Sequence, residues 1–567
     1  MPVLGLSCHY HDAAAALCEG GRILAAAHEE RFDRQKGSPG LPVQAINACL
    51  QHAGITLDDV PVVAFYEKPF RKLERVLISH LRAWPRSLPT FLDTMPPWLE
   101  DRLVLPLALQ RDLGFRGELV YLPHHLAHAA SAFLPSPFEQ AAILTADGVG
   151  EWDSTTMGAG RGREIELKWK LEYPHSLGLL YTAVTTWLGF RPLRGEGKVM
   201  ALAELGEPDL LPQLLELVTV RPDGSFRLDP AAFAMVEGDR MYGRAFEQRF
   251  GPPRAPGAPL EDQHRAMAAS LQRLLEDIVL RMARHLHAQT GLDQLCIAGG
   301  VGLNITATSR ILEDTPFREL YIQPAAGDAG GALGAALYQS LRQGGEREPM
   351  LSAALGPEYS DNHCRRALLT AGLEPVELPR ELLLHRVAQL IHQDRIVGWF
   401  QGRMEYGPRA LGQRSILANP CNPRMKDILN ARIKHREPFR PYGVSVLRSG
   451  AGAFFAPDRD SPFMLQVAQV LPGQADRIPA AIHANGTSRL QTVTLEQNGI
   501  YAEMIQAFEA ISGVPMVINT SFNDNDEPIV CSPADAVRCY QNTELDALVL
   551  GPWLVEKPRA SGDHSGA

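Results

Sequence analysis

The chain has only eight cysteines in 567 residues, spread along its length with no Cys-x-x-Cys pair. That spacing suits a reducing compartment better than a disulfide framework. No apolar run reaches the roughly 18 residues needed to span a bilayer. Met1-Pro2-Val3-Leu4-Gly5-Leu6 carries no basic leader ahead of a long apolar core, so no signal peptide is expected. These absences predict a cytoplasmic protein that needs no membrane. Positive charge is not in excess either: the net charge is −10, which disfavours nonspecific binding of nucleic acid but leaves room for a local basic pocket.

What is present is an ordinary globular composition, 45% hydrophobic and 21% charged. The length exceeds what one hydrophobic core supports, so two or more domains are expected. From Gln343 to Asp361 the sequence is polar, broken by Gly and Pro and without periodicity. A boundary there predicts domains 1–350 and 351–567.

His124-His125-Leu126-Ala127-His128 is the most informative stretch. On a helix, residues four apart share a face, so His124 and His128 could bind one metal ion. Asp147 follows the strand-like run 141–146, where an unpaired carboxylate would be costly to bury. Two imidazoles and a carboxylate suit a borderline-hard divalent ion with open positions. His125 stands where a zinc protease carries glutamate, so that general base is missing. The same residues also read as loop histidines and a turn aspartate.

A strand, a polar turn and a hairpin occur at 3–27 and again at 141–162. Such duplication is typical of the actin-like fold of sugar kinases and chaperone ATPases. Two glycine-rich turns follow, Ala298-Gly299-Gly300-Val301-Gly302-Leu303-Asn304 and Gly327-Asp328-Ala329-Gly330-Gly331. Backbone that can approach a phosphate closely, next to a helix N-terminus, is one reading of each. Tight helix packing is the other. The segment 81–115, rich in proline, leucine and aromatics, reads as interrupted helices: a substrate lid, a dimer surface or a plain insertion.

Beyond residue 351 arginine concentrates in Gly/Pro turns. Arg403, Arg409 and Arg414 fall close together; Lys434 and Arg440 follow, then Arg489, Asn519 and Ser521 beside apolar runs. Forked guanidinium donors, a lysine point charge and hydroxyl or amide groups suit an anion such as phosphate. A set of solvated surface charges is the alternative.

Taken together the motifs resemble the O-carbamoyltransferase family of nodulation-factor and antibiotic-tailoring enzymes. The matching pieces are His9-Tyr10-His11-Asp12, His124-His125-Leu126-Ala127-His128, Thr145-Ala146-Asp147-Gly148, Gly195-Glu196-Gly197-Lys198, Ala298-Gly299-Gly300-Val301, Gly327-Asp328-Ala329-Gly330-Gly331, Gly407-Pro408-Arg409-Ala410-Leu411-Gly412 and Asn519-Thr520-Ser521-Phe522-Asn523. The resemblance implies an α/β protein. Its N-terminal domain would be actin-like, similar to the tRNA threonylcarbamoyl transferase; its C-terminal domain would be a twisted α/β fold similar to threonylcarbamoyl-adenylate synthase. It implies that carbamoyl phosphate and ATP, with Mg2+, form carbamoyl-adenylate in the second domain, reached from the first by a short internal path. A hydroxyl of a small-molecule acceptor (an aminosugar, a macrolide or similar) would then take the carbamoyl group. By the same resemblance His124, His128, Asp147 and Asp328 would hold a divalent metal, with Fe2+ favoured over Mn2+ or Zn2+. Gly299, Gly300, Asn304, Gly327, Gly330 and Gly331 would accept adenosine. Lys198 would contact phosphate or be a helix-surface lysine. Lys434, Arg489 and Ser521 would act in adenylate formation, with Arg409, Arg414, Arg440 and Asn519 binding the nucleotide or orienting it. His11 would be the general base of transfer, oriented by Asp12 or a substrate group, because His9 replaces an acidic residue of some relatives; a turn histidine capping the next strand is the other reading. No nucleic-acid partner is expected, and a homodimer is. A tRNA threonylcarbamoyl transferase is the competing reading, against which the net charge and the second domain argue.

Overall fold

The structure, a computed structural model, describes residues 1–235 and 240–558. It divides into two units, one of Met1–Asp33 with Gly37–Met350 and one of Arg34–Lys36 with Leu351 onward.

In the first unit β1 (Pro2–Ser7) is apolar and buried almost throughout, so it needs partners on both edges. It pairs antiparallel with β2 (Ala14–Glu19), which turns through Gly20-Gly21 into antiparallel β3 (Arg22–His28). On its other edge lies parallel β4 (Val62–Phe65), then parallel β5 (Glu118–Tyr121), giving the order β3-β2-β1-β4-β5. Helix α1 (His124–Phe133) follows β5.

The plan then repeats. β6 (Gln140–Ala146), β7 (Asp153–Arg161) and β8 (Glu164–Glu172) form an antiparallel meander. After a small hairpin of β9 (Val218–Val220) with β10 (Phe226–Leu228) and the long helix α2 (Asp262–Thr290), β11 (Gln294–Ala298) adds parallel to β6. β12 (Glu319–Ile322) adds parallel to β11, so the order β12-β11-β6-β7-β8 is the first sheet's order again. Helix α3 (Asp328–Arg342) follows β12 as α1 follows β5. This duplicated five-stranded topology is the actin-like fold.

Small residues let α3 sit deep. A Cβ on Gly334 would lie 1.9 Å from the Ala127 carbonyl oxygen of α1, and one on Gly5 would lie 1.9 Å from that of Ala332. Backbone-to-backbone contact of this kind is open only to glycine.

The second unit is one mixed ten-stranded sheet. Its strands are β13 (Val376–Glu377), β14 (Val397–Phe400), β15 (Arg414–Ala418), β16 (Gly443–Leu447), β17 (Phe455–Ala456), β18 (Gln466–Val470), β19 (Thr487–Val493), β20 (Met516–Ser521), β21 (Ala547–Leu550) and β22 (Trp553–Glu556). The order is β13-β22-β21-β14-β15-β20-β16-β19-β18-β17, an open α/β sheet in which, among the described residues, β14/β21 and β16/β19 are the parallel pairs. Helices α4 (Arg380–His392) and α5 (Leu495–Ser512) pack together and bury the apolar core. Among the described residues no helix is long and apolar enough to cross a membrane.

Candidate active site and metal centre

Carboxyl ends of core strands are where open α/β folds place ligands. Here the duplication makes each half contribute equivalent pieces. The turn after β1 carries His11 and the end of β6 carries Asp147; the helix after β5 carries His124 and His128, and the helix after β12 begins with Asp328.

The pieces converge. On α1 the four-residue spacing puts His124 Nε2 and His128 Nε2 3.1 Å apart. Both face Asp147 Oδ2, at 3.2 and 3.3 Å. Asp328 Oδ1 lies 3.8 Å from the first and 3.5 Å from the second. One ligand atom from each of the four residues falls within 4.8 Å of all the others. His124, His128 and Asp328 are buried. Two imidazole nitrogens facing each other can share at most one proton, and the buried Asp328 Oδ1 has no hydrogen-bond partner. A cation resolves both deficits, and the donor set suits a divalent one.

Neighbouring residues fix these ligands. Gly299 has φ of +90°, and a Cβ on it would lie 2.2 Å from the Ala146 carbonyl oxygen. That close turn lets the Gly300 N–H donate to Asp147 Oδ1 at 3.1 Å. Ser176 Oγ donates to the Asp147 carbonyl at 2.9 Å. Glu151 accepts the His124 N–H at 3.1 Å and the Lys68 N–H at 2.7 Å, holding the start of α1. His125 points elsewhere, to Thr145 Oγ1 at 2.7 Å and the Asp153 carbonyl at 2.8 Å. Glu151 escaped the sequence reading because a single glutamate in a turn carries no pattern.

Burial opposes protonation of His128, but its hydrogen bond to Asp147 and the nearby Asp328 carboxylate outweigh it and push it up to about 9. Burial and the His128 charge hold His124 well below the usual histidine range. Burial would raise Asp147, yet its hydrogen bonds to the two histidines hold it well below the carboxylate range. Asp328 is raised, by burial and by the Asp147 charge.

His11 sits beside this quartet. Its Nδ1 is 2.8 Å from Asp12 Oδ2 and its Nε2 3.7 Å from Asp328 Oδ2. Asp12 is thus the carboxylate that orients the ring. Burial opposes protonation, but Asp328 and Asp12 outweigh it and raise His11 to about 9.

The remaining expected residues of this unit are placed as follows. Asn304 caps the helix Ile305–Asp314 and exchanges hydrogen bonds with Gln272 at 3.0 and 2.9 Å. Gly327 precedes α3. A Cβ on Gly330 would meet the Ala325 carbonyl at 2.1 Å and one on Gly331 the Tyr66 ring at 2.7 Å, so both serve packing. Lys198 is half-buried on the helix Glu196–Ala203, its Nζ 5.9 Å from the Phe190 ring centroid.

In the second unit alternation along three adjacent strands puts polar groups on one face of a buried sheet. Asn519 Nδ2 donates to Ser445 Oγ at 2.9 Å, to Gln491 Oε1 at 3.2 Å and to the Ala410 carbonyl at 3.0 Å, fixing the loop that carries Arg409. A Cβ on Gly443, opposite Arg489, would lie 3.1 Å from Arg489 Nε, so the glycine makes room for the guanidinium. Lys434 Nζ is buried and donates to the Ser521 carbonyl at 2.6 Å and to the Asn523 carbonyl and Oδ1 at 2.8 and 2.7 Å. Ser521 Oγ itself donates to Asn523 Oδ1 at 2.7 Å. Burial lowers Lys434 to about 7 and, with the Arg440 charge, lowers Arg409 to about 10. Arg436 and Arg440 also depress Lys434. Lys434, Arg409, Arg436 and Arg440 thus act on one another as like charges, a field that suits an anion.

Arg414 is different. It is fully buried, stacks 3.5 Å from the Phe400 ring centroid and gives its donors to the carbonyls of Gln401, Gly402, Gln413, Pro357 and Cys531. It holds the loop together, and its guanidinium is occupied by backbone.

Family comparisons meet this geometry. The model described as Carbamoyltransferase N-terminus matches residues 2–337, and Carbamoyltransferase C-terminus matches 388–557. The chain belongs to the carbamoyltransferase family. It is 38% identical to the nodulation protein NolNO of Sinorhizobium fredii over 97% of this chain and 80% of that one. To the nodulation protein NolO of Bradyrhizobium diazoefficiens it is 39% identical over 77% and 79%. An uncharacterised Synechocystis protein is 42% identical over 98% and 96%. Component A of the Acidaminococcus fermentans (R)-2-hydroxyglutaryl-CoA dehydratase overlays 60% of this chain and 97% of its own at TM-score 0.33 and 12% identity, too low to carry an argument. This carbamoyltransferase therefore carries, in one half, a quartet able to hold a metal and, in the other, a basic cluster around the buried Lys434.

Proposed function

We propose that this carbamoyltransferase is an ATP-dependent O-carbamoyltransferase that works in two steps. Carbamoyl phosphate and ATP first give carbamoyl-adenylate in the second unit. Releasing both phosphate and pyrophosphate requires one water, which takes the phosphoryl group and leaves carbamate. The carbamate oxygen then attacks the α-phosphorus of ATP and expels pyrophosphate. Lys434, Arg409, Arg440 and Arg489 would neutralise this polyanionic pair, each donor acting where charge develops. The Lys434 ammonium, depressed by burial, would regain its proton in the field of the phosphates.

The adenylate is then consumed in the first unit, where a hydroxyl of a small-molecule acceptor attacks the carbamoyl carbon and AMP leaves. The observation that supports this most is His11: an imidazole oriented by a carboxylate at 2.8 Å, with its other nitrogen beside a largely buried four-residue ligand set. His11 Nε2 would take the acceptor's hydroxyl proton, and Asp12 would hold the ring and stabilise the imidazolium. A divalent cation held by His124, His128, Asp147 and Asp328 would supply a grip on phosphate or carbonyl oxygen and cancel the carboxylate field that raises His11. The glycine turns at 299–302 and 327–331 would leave backbone accessible to adenosine, with Gly330 and Gly331 shaping it through packing.

The variant His11→Asn tests the division of labour. Pyrophosphate release should continue while carbamoylation of the acceptor falls at least 100-fold, a loss typical of removing a general base. Loss of both activities, or of neither, would overturn the assignment.

A further inference from the structure

Helix Pro69–Arg82 of the first unit is inverted. A surface helix normally buries its apolar stripe. This one buries Lys72, Arg75, Ser79 and His80, while Phe70 and Leu81 are 73% and 71% exposed. Spacings of three and four put Lys72, Arg75 and Ser79 on one inward face. A cationic inward stripe serves either internal ion pairs or a ligand.

Lys72 is explained by the first alternative: its ammonium pairs with the buried Glu67 and lies 4.9 Å from the Tyr10 ring centroid. Arg75 is not. Among the described residues it makes no hydrogen bond or ion pair; its guanidinium lies 5.1 Å from the Tyr173 ring centroid and its buried Nε has no partner. Each of the other buried arginines has an ion pair or hydrogen bonds, although the Nε of Arg31 also lacks a hydrogen-bond partner. Arg31 pairs with Glu30, Arg254 donates to the Leu188 and Ala258 carbonyls, and Arg414 to five carbonyls. Carboxylates do stand in the electrostatic reach of Arg75, namely Glu67 and Glu151. Each is committed elsewhere, Glu67 to Lys72 and Glu151 to the amides of Lys68 and His124. Glu151 also places Arg75 close to the start of α1, whose His124 belongs to the quartet. Tyr10, whose ring is 4.5 Å from that of His11, feels the charges of Arg75, Asp147 and Asp328 together.

We propose that Arg75 binds an anionic group, a phosphate or a carboxylate, on a ligand of the unit that carries the quartet. A guanidinium with unused donors matches either group in a bidentate fashion, and a buried, unpaired charge persists in a fold when a ligand completes it. Lys72 and the Tyr10 ring would line the same place. Naming the source of the anion, the adenylate donor or the hydroxyl acceptor, rests on the two-step reading; anion binding itself does not. Failure of adenylate chemistry and failure of this inference are therefore separate results.

The test is calorimetric titration of the full chain with inorganic phosphate, comparing Arg75→Met with the native residue in an Arg489→Ala background that weakens the basic cluster of the second unit. Phosphate should bind at least tenfold more weakly to Arg75→Met. The ligand-free melting temperature should stay level or rise, because an unpaired buried charge has been removed. Titrations with AMP and with glucose 6-phosphate separate the sources: a loss for AMP puts the anion on the donor, a loss for the sugar phosphate puts it on the acceptor. If all three ligands bind both proteins equally, the inference is overturned; so too if melting falls while phosphate affinity is unchanged, which is the mark of a purely structural arginine. Should Arg75→Met fail to fold, Arg75→Gln serves the same titrations.

Discussion

Metal uptake by the quartet should climb steeply with pH. In the metal-free site His128 is pushed up to about 9, so it carries a proton at neutral pH. A metal ligand must lose that proton. Each pH unit below about 9 then weakens binding about tenfold, so affinity should rise about 100-fold from pH 6 to pH 8, about 2.7 kcal/mol. His124, held well below the usual range, is already neutral and adds nothing. His11 is also raised to about 9 by Asp328 and Asp12. A cation on Asp328 would lower it, releasing a second proton and steepening the slope toward two. His11→Asn should bring the slope back to one. The assay is Mn2+ titration followed by electron paramagnetic resonance, with proton release counted by calorimetry in buffers of different ionisation enthalpy. Stability gives a matching sign. A histidine raised in the folded state stabilises it fully below its unfolded value near 6.5, and the benefit is lost as pH rises through about 9. The metal-free protein should therefore lose melting temperature between pH 6.5 and 9. Flat Mn2+ affinity from pH 6 to 8 with no proton release would refute the reasoning.

Two further substitutions probe the scaffold and the second unit. Gly299→Ala should destabilise the fold by about 2–4 kcal/mol in chemical denaturation and weaken metal binding, since the turn that holds Asp147 must shift. Gly197→Ala, where a Cβ meets nothing within 4 Å, should be neutral or slightly stabilising. Arg489→Ala should abolish pyrophosphate release from ATP and carbamoyl phosphate yet leave transfer from supplied carbamoyl-adenylate intact.

Much of the first unit was legible because its signals are periodic. The run 3–27 and its repeat at 141–162 announce the two meanders, and the spacing of His124 and His128 announces one helical face. The convergence of Asp328 with them was not derivable from spacing. It depends on α3 following β12 as α1 follows β5, a relation visible only once β6 and β11, about 150 residues apart, are paired. Glycine-rich turns were ambiguous for a physical reason: one residue type serves ligand approach and backbone packing alike. Gly300 and Gly299 position Asp147, whereas Gly330 and Gly331 pack against Ala325 and Tyr66. Arginines carry the same ambiguity. Arg409 and Arg414 lie five positions apart in one motif; Arg414 is spent on carbonyls, whereas Arg409 joins the cations around Lys434. The inverted helix at 69–82 defeats hydropathy altogether, because its buried face is the charged one.

The central claim is that the two halves make and then use an activated carbamoyl group. The most direct measurement incubates the full protein with ATP, Mg2+, a divalent transition metal and carbon-labelled carbamoyl phosphate, without acceptor, and separates the products. Labelled carbamoyl-adenylate with one pyrophosphate for each is the predicted result. Turnover of carbamoyl phosphate with neither pyrophosphate nor labelled adenylate, under any divalent metal, would contradict it.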